Sequence, residues 1–136
     1  MINHFAFSQV NNPPKSVRES FQKTYPLSQP SHWDRTSGGW SVDFEDKDHD
    51  NGEATAHFSS TGRHIDTQVP YDNKDVPAPV VDNLHQKYNG SDNYAFTRID
   101  RPGEKAVYQA QFTHQSKHKT LYVDEKGNTK DNPNRH

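Results

Sequence analysis

The 136-residue sequence contains no cysteine and no long run of apolar residues. The absence of cysteine excludes disulfide bonds and thiolate chemistry, whether catalytic or metal-binding. No apolar run approaches the roughly 20 residues that a membrane-spanning helix needs. The sequence therefore predicts neither membrane insertion nor a cysteine-based active site.

Net charge and hydrophobic content are both low. Sixteen Lys and Arg residues stand against 18 Asp and Glu, so the net charge is −2 and offers no basic field for nucleic acid. Only 28% of residues are apolar, a fraction that would fit disorder if the net charge were large. Because the charge is small and the apolar residues are periodic, we expect a thin but folded core and no nucleic-acid partner.

The apolar pattern of the first half of the chain recurs in the second half. A helical set recurs first: Val17, Phe21 and Tyr25 return as Val80, Leu84 and Tyr88. A strand set and a turn glycine follow: Trp40, Val42, Phe44 and Gly62 return as Tyr108, Ala110, Phe112 and Gly127. The recurring positions are core and turn positions, and none is a catalytic polar residue. Such a repeat indicates a scaffold or binding module rather than an enzyme.

In each half, helical spacing of apolar residues changes to strand spacing. The first helical stripe ends at Pro26, the segment 27–31 is predicted to be a loop, and alternation with a period of two starts at Trp40. In the second half, strands are predicted at 94–100, 107–113 and 119–124. We therefore predict an α+β fold of two tandem repeats, each an N-terminal helix packed on a short antiparallel β-sheet.

The predicted boundaries follow from this repeat. Repeat 1 covers 10–71 and repeat 2 covers 72–128, with an N-terminal segment at 1–9 and a polar tail at 129–136. The segment before Gln9 is similar to the end of a secretory signal, with the small residues Ala6 and Ser8 at positions −3 and −1. One interpretation is a signal-peptide remnant, with the mature chain starting at Gln9. An ordinary frayed terminus is the alternative.

Several segments combine into one recurring pattern. It consists of Val-Pro-x-x-Val before a helix that ends in Tyr, an aromatic strand, and a strand that ends in an Asp/Ser-x-x-Gly turn. The pattern lies in segments 14–25, 39–44, 56–62, 76–88, 107–112 and 121–127. It resembles PepSY-like domains and, more narrowly, the tandem beta-lactamase-inhibitor-like periplasmic proteins common in Bacteroidetes. The resemblance spans about residues 10–128.

This resemblance implies a periplasmic or secreted protein with the predicted fold. In the wider group, related folds act as protease propeptides or as inhibitors that grip an enzyme with the sheet face. The resemblance thus implies a non-enzymatic binding module of unassigned role. One form of this hypothesis is that the module inhibits its protein or peptide partner. The sequence departs from its relatives in being rich in histidine and in lacking a complete signal peptide.

Strand alternation defines the sheet face that points away from the helices. That face is predicted to present Asp43, Thr55, His57, Thr97, Gln109, Gln111 and Tyr122, together with Ser41. A polar surface rich in hydrogen-bonding groups suits a protein or peptide partner. The protein itself is expected to be a monomer or a weak dimer. The alternative is that these are ordinary solvent-facing strand residues.

An acidic turn offers a different function, that of a calcium- or transition-metal-responsive periplasmic protein. Asp46, Asp48 and Asp50 have the spacing of the first three ligands of an EF-hand loop. Asn51 stands where that loop needs glycine, and His57 stands where it needs a bidentate glutamate. A solvated hairpin tip is therefore favoured over a calcium site.

The nine histidines form no zinc motif. His114 and His118 have helical ligand spacing but lie in a predicted strand end and turn, while His57 and His64 flank a turn and are candidates to meet across strands. The sequence contains no His-Glu-x-x-His, no Gly-x-Ser-x-Gly and no phosphate-binding glycine loop. We therefore predict no enzyme activity, no cofactor and no built metal site.

Overall fold

The computed structural model describes residues 12–133, so the signal-peptide hypothesis for 1–9 lies outside the described residues. The chain divides into two units with their boundary between Val69 and Pro70. In the described part, each unit combines one α-helix with antiparallel strands. The predicted α+β class with antiparallel strands is confirmed.

The first unit begins with helix α1 (Lys15–Thr24). Its strands are β1 (Pro30–Thr36), β2 (Gly39–Asp46), β3 (Gly52–Ser59) and β4 (His64–Tyr71), of which β4 runs across the unit boundary. Strand β2 pairs with β1 on one side and β3 on the other, and β3 also pairs with β4. The strand order follows the order in the sequence.

The second unit has the same succession of a helix and antiparallel strands. A short 3₁₀ turn (Asn73–Asp75) precedes α2 (Ala78–Lys87), and β5 (Asp92–Asp100), β6 (Val107–His114), β7 (Lys117–Asp124) and β8 (Thr129–Lys130) follow. The strands predicted at 94–100, 107–113 and 119–124 are confirmed within a few residues at each end. Strand β8 uses the first residues of the predicted polar tail.

The predicted loop at 27–31 is wrong at its end, because β1 begins at Pro30. Every side chain of β1 is exposed except the half-buried Trp33, so no apolar alternation marks this strand. A register shift lies between Pro30 and His32. Irregular pairing and exposed polar side chains are typical of edge strands, which are the hardest strands to find by pattern.

The core of the first unit is aromatic. The ring of Phe21 on α1 lies 5.0 Å from that of Phe44 and 5.8 Å from that of Trp33. The Tyr25 ring lies 4.6 Å from Phe44, and its hydroxyl hydrogen-bonds to the Thr67 hydroxyl at 2.6 Å. Tilted and edge-to-face rings at these distances add stabilisation beyond the buried area.

The core of the second unit is more aliphatic along its helix. Val80 and Leu84 of α2 are fully buried and pack with Phe112 and Val123 of the sheet. The Tyr88 ring lies 5.0 Å from that of Phe112. Each helix is thus anchored by the stripe that the sequence repeats.

A glycine turn packs against the start of the helix in both units. The Gly62 N–H donates to the Ser59 carbonyl at 3.0 Å, and the Gly127 N–H donates to the Asp124 carbonyl at 3.0 Å. A Cβ at Gly62 would lie 2.7 Å from the Ser16 carbonyl oxygen, and one at Gly127 would lie 2.8 Å from that of Pro79. A side chain therefore cannot be added at either glycine without moving backbone.

The turn between β6 and β7 is suboptimal. Gln115 and Ser116 both have left-handed backbone angles, with φ of 51° and 65°. Two-residue hairpin turns of this type favour Asn-Gly. We predict that the double variant Gln115→Asn, Ser116→Gly raises the free energy of unfolding by about 1 kcal/mol, measured by urea denaturation. The control variant Glu104→Asn, Lys105→Gly introduces the same residue types where φ is negative, and it should give no gain in stability. An equal gain in this control would contradict the explanation.

Candidate functional site

In the first unit, polar side chains on the sheet face away from α1 form two cross-strand rows. Asp43 lies opposite Thr55, whose hydroxyl donates to the Asp43 carboxylate at 2.7 Å. In the next pair on this face, Ser41 lies opposite His57, which in turn lies opposite Asp66. The structure thus brings the candidates Asp43, Thr55 and His57 together on adjacent strands.

One contact in these rows is not revealed by the sequence pattern. The His57 Nδ1 lies 2.7 Å from Asp66 Oδ1, and because a carboxylate accepts, the ring nitrogen donates. Asp66 is 3% exposed, whereas the His57 side chain keeps 30% of its surface. The pair fixes the imidazole and leaves Nε2 as the ring atom for a partner. Only the strand register makes Asp66 a neighbour of His57.

Ser41, His57 and Asp66 follow the order of a nucleophilic triad across three strands. Among the described residues, no hydrogen bond joins the Ser41 hydroxyl to His57, so the proton relay of a triad is missing. The row instead presents separate polar groups.

The four predicted residues on the corresponding face of the second unit are uncharged, while Lys130 on β8 lies opposite Tyr122. Gln109 on β6 lies opposite Thr97 on β5 and Tyr122 on β7. Gln111 lies opposite Thr120 in the next outward pair, and all four predicted residues of this unit are partly exposed. Amides and hydroxyls both donate and accept, so this face can match backbone groups of a partner.

The two faces differ in charge. Strands β2, β3 and β4 contain no lysine or arginine, and the face of the first unit carries the carboxylate of Asp43 and the His57–Asp66 pair. The second face replaces these groups with Gln111 and Tyr122 at the corresponding positions of the sequence repeat. Inward positions recur between the units, whereas outward positions do not.

The acidic turn is held by its own carboxylates. Asp46 is 2% exposed and accepts the backbone N–H groups of Asp48 at 3.0 Å and His49 at 3.1 Å, and the Asn51 side chain at 3.1 Å. Asp48 accepts the Leu27 N–H at 3.0 Å. These bonds tie the hairpin tip to itself and to the segment after α1.

This bonding explains the acidic turn without a metal. The carboxylates of Asp46 and Asp48 already accept protein donors, while Asp50 is exposed with a left-handed φ of 55°. Within residues 12–133, no group of three or more histidine or acidic side chains is placed to hold a metal ion. The structure thus lends the calcium hypothesis no support.

The hypothesis that His57 and His64 meet across strands is wrong. His64 lies opposite Phe58 and hydrogen-bonds to the Thr67 hydroxyl at 2.9 Å, on the helix side of the sheet. His57 lies on the other face. A bulge between His57 and Phe58 shifts the register at this point.

His114 and His118 do not converge either. The His114 ring lies 5.3 Å from that of Tyr88, which packs on the core side, whereas His118 is exposed opposite Thr113. Four-residue spacing across a tight hairpin therefore places the two rings on different faces.

A charged cleft of about 770 Å³ lies in the second unit. Four of the eight charged residues in its lining form two ion pairs, with Arg101 3.6 Å from Glu104 and Lys130 3.8 Å from Asp124. A smaller cleft of about 380 Å³ lies in the first unit between α1 and β1. Neither lining contains a histidine.

A cluster of titratable groups in the second unit is structural. Arg98 donates to the Tyr71 hydroxyl and to Asp100, each at 2.9 Å. Burial is the largest effect and opposes the charge on Arg98, but the two hydrogen bonds together with the charge interactions of Asp100 and Tyr71 raise the Arg98 pKa overall. Burial also raises the pKa of Tyr108 to about 12. Both groups keep one protonation state near neutral pH, so neither serves as an acid or base.

Asp124 provides a pH-dependent contribution to stability. The Asn128 N–H, followed by that of Lys126, stabilises the carboxylate and lowers the Asp124 pKa. Because the folded pKa is depressed, the stabilisation is present above the unfolded pKa and is lost as pH falls through the folded value. We predict that Asp124→Ala costs about 1 kcal/mol at pH 7 and less in acid, measured by urea denaturation. The neighbouring Glu125→Ala should change little, and a loss independent of pH would contradict this explanation.

In the part of the chain that the structure describes, no helix is long and apolar enough to cross a membrane. The sequence matches no protein-family model and no curated protein.

Solved structures from Bacteroides share this fold. A BLIP-like protein from Bacteroides fragilis is 18% identical with a TM-score of 0.76, covering 88% of this chain and 84% of that one. A DUF2874 family protein from Bacteroides ovatus is 17% identical with a TM-score of 0.75, covering 87% of this chain and 84% of that one. A protein provisionally described as periplasmic from Bacteroides eggerthii is 16% identical with a TM-score of 0.73, at 87% and 86% coverage. The predicted resemblance to beta-lactamase-inhibitor-like proteins is confirmed at the level of the fold.

Proposed function

We propose that this protein is an exported, non-enzymatic binding module that engages a protein or peptide through the helix-free sheet faces of its units, with inhibition of the partner as one outcome. The observation that carries the proposal is the contrast between faces. Residue types at the inward positions recur because both units need an apolar core between helix and sheet. Residues at the outward positions differ between the two units in charge and in hydrogen-bonding character. Residues free of a structural role are the ones available for recognition.

We also propose that the two units are tandem PepSY-like repeats at 10–71 and 72–128. Matched hydrogen bonds support this assignment. The Tyr25 N–H donates to the Phe21 carbonyl and the Tyr88 N–H to the Leu84 carbonyl, both at 2.8 Å. The N–H groups of Ser28 and Ser91 then donate to those tyrosine carbonyls, both at 3.1 Å. Equivalent residues thus end both helices in the same way.

Location outside the cytoplasm is part of the proposal. It is supported by the fold shared with a protein provisionally described as periplasmic. The absence of cysteine means that the chain does not depend on the redox state of its compartment.

The faces predict which side chains matter. The first face, with Asp43 and the His57–Asp66 pair, suits lysine or arginine of a partner. The second face, with Gln109, Gln111 and Tyr122, suits backbone amides and apolar edges. Tyrosine is among the residues in which binding energy concentrates, so Tyr122 is the expected principal contact.

The test compares paired variants of the full chain. Partners captured from periplasmic extract are identified by mass spectrometry, purified and titrated. We expect Tyr122→Ala with Gln111→Ala, or Asp43→Ala with His57→Ala, to weaken binding roughly 10–30-fold. The exposed helix pair Lys23→Ala with Gln86→Ala should leave the dissociation constant unchanged. Equal binding by all three double variants would refute the use of the sheet faces.

A further inference from the structure

Strand β1 leaves one edge of the first unit's sheet unpaired. Within residues 12–133, β1 pairs only with β2, and all its side chains except Trp33 are exposed. The free edge of a strand carries backbone N–H and C=O groups that an added strand can bond. The edge is therefore a template for an extended peptide.

A cleft with an aromatic floor adjoins this edge. It has a volume of about 380 Å³ and lies between α1 on one side and residues 28–30 and Trp33 on the other. The rings of Phe21 and Trp33 meet edge-to-face at 5.8 Å at its base. Clefts of about 300–1,000 Å³ are typical of ligand sites. This one has a mostly polar lining around Phe21, Pro30 and Trp33, and it is large enough for a bulky side chain.

The rim of the cleft favours a negatively charged partner. Lys15 and Arg18 of α1 line it together with Glu19, which lies 3.9 Å from Lys15. Glu19 thus offsets Lys15, and within residues 12–133 the Arg18 guanidinium makes a 3.4 Å contact with the Asn12 amide oxygen and pairs with no carboxylate. Arginine in this setting pairs readily with a carboxylate.

The edge also carries features that reject unselective pairing. Pro30 and the register shift beside it disturb one end, and Asp34 and Arg35 place opposite charges along the strand. Such features discourage edge-to-edge association unless the incoming strand matches them. The site therefore has a means of selecting its partner.

We propose that β1 and the adjacent cleft form a second binding site, distinct from the helix-free sheet faces, for an extended acidic peptide segment of a partner protein. The segment adds to β1 as a further strand. One large apolar side chain enters the cleft against the half-buried Trp33, and a carboxylate of the segment pairs with Arg18. Main-chain bonds supply affinity, while the cleft and the arginine supply selectivity.

The first experiment uses a blocked heptapeptide, Thr-Glu-Val-Phe-Val-Glu-Thr, titrated into the full-length protein and followed by amide NMR shifts. We expect shifts in β1 and α1, and binding about tenfold weaker for the peptide with lysine in place of glutamate. The variant Arg18→Glu should reverse this preference. Lys23→Glu makes the same change of charge on α1 outside the cleft and should not. An unchanged preference in Arg18→Glu, or no binding, would overturn the proposal.

A second experiment separates strand addition from simple side-chain capture. Two forms of the peptide are methylated on alternate backbone nitrogens, which blocks the bonds of one strand edge or the other. We expect one form to bind like the parent and the other to lose at least tenfold. Equal binding by both forms would exclude strand addition. The oligomeric state is measured by sedimentation with and without the peptide. A dimer of the protein that the peptide dissociates would assign the β1 edge to self-association and overturn the proposal.

Discussion

Replacing Phe44 by alanine is expected to lower the free energy of unfolding by about 3–5 kcal/mol. The side chain is 0% exposed and its ring lies 5.0 Å from Phe21 and 4.6 Å from Tyr25. Alanine would leave a cavity where helix and sheet meet and remove both ring contacts. Because small domains have only about 5–15 kcal/mol of stability, such a loss would unfold a large fraction of the protein on mild heating.

The measurement is urea denaturation followed by tryptophan fluorescence, since Trp33 and Trp40 both lie in the first unit. Leu27→Ala is the matched control, because Leu27 is 69% exposed and its loss should cost within about 0.5 kcal/mol. Phe112→Ala makes the equivalent change in the second unit, where Tyr88 and Tyr94 contact the ring at 5.0 and 5.6 Å. A loss below about 1 kcal/mol for Phe44→Ala would show that the aromatic cluster is not the main support of the first unit.

The inward positions could be predicted from the sequence because burial imposes a period. Val17, Phe21 and Tyr25 mark a helix stripe, and Trp40, Val42 and Phe44 mark a strand, without knowledge of neighbours. Both elements formed as expected. The same apolar spacing occurs in both halves of the sequence, so the helix and strand predictions rest on two independent stretches of chain.

Strand β1 and Asp66 show where this reasoning stops. An edge strand is exposed on most sides, so β1 has a single half-buried side chain and no alternating pattern. Asp66 is a charged residue that no sequence pattern marks as buried, yet it is 3% exposed, and the register places His57 opposite it. The cleft beside Trp33 likewise depends on how α1 lies over the sheet. Each of these features is set by tertiary contacts that a linear pattern does not contain.

Replacing Gly62 or Gly127 by alanine is expected to cost about 2–4 kcal/mol, the second largest effect predicted. Two penalties add at each site. The φ angles of 96° and 92° are ones that side chains rarely adopt. The new methyl group would also lie within 2.8 Å of a helix carbonyl oxygen.

Two other glycines separate these penalties. Gly103 has a φ of 75° and open space where a methyl group would lie, so Gly103→Ala should show the backbone strain alone, about 1–2 kcal/mol. Gly38 has neither a left-handed φ nor a neighbour within 4 Å of such a methyl group, so Gly38→Ala should be neutral within about 0.5 kcal/mol. Thermal unfolding of the four variants under one condition supplies the comparison. Equal losses at Gly62 and Gly103 would mean that close approach to the helix contributes nothing.

The result for Gly127 bears on how the repeat is interpreted. If Gly62→Ala and Gly127→Ala lose similar stability, the recurring glycine is needed in both units for the same reason, namely the approach of a turn to a helix start. Partner binding by whatever fraction remains folded should then be unchanged, because neither glycine lies on a sheet face. A loss of binding without a loss of stability would instead place these turns in the interface and argue against recognition by the outward strand residues.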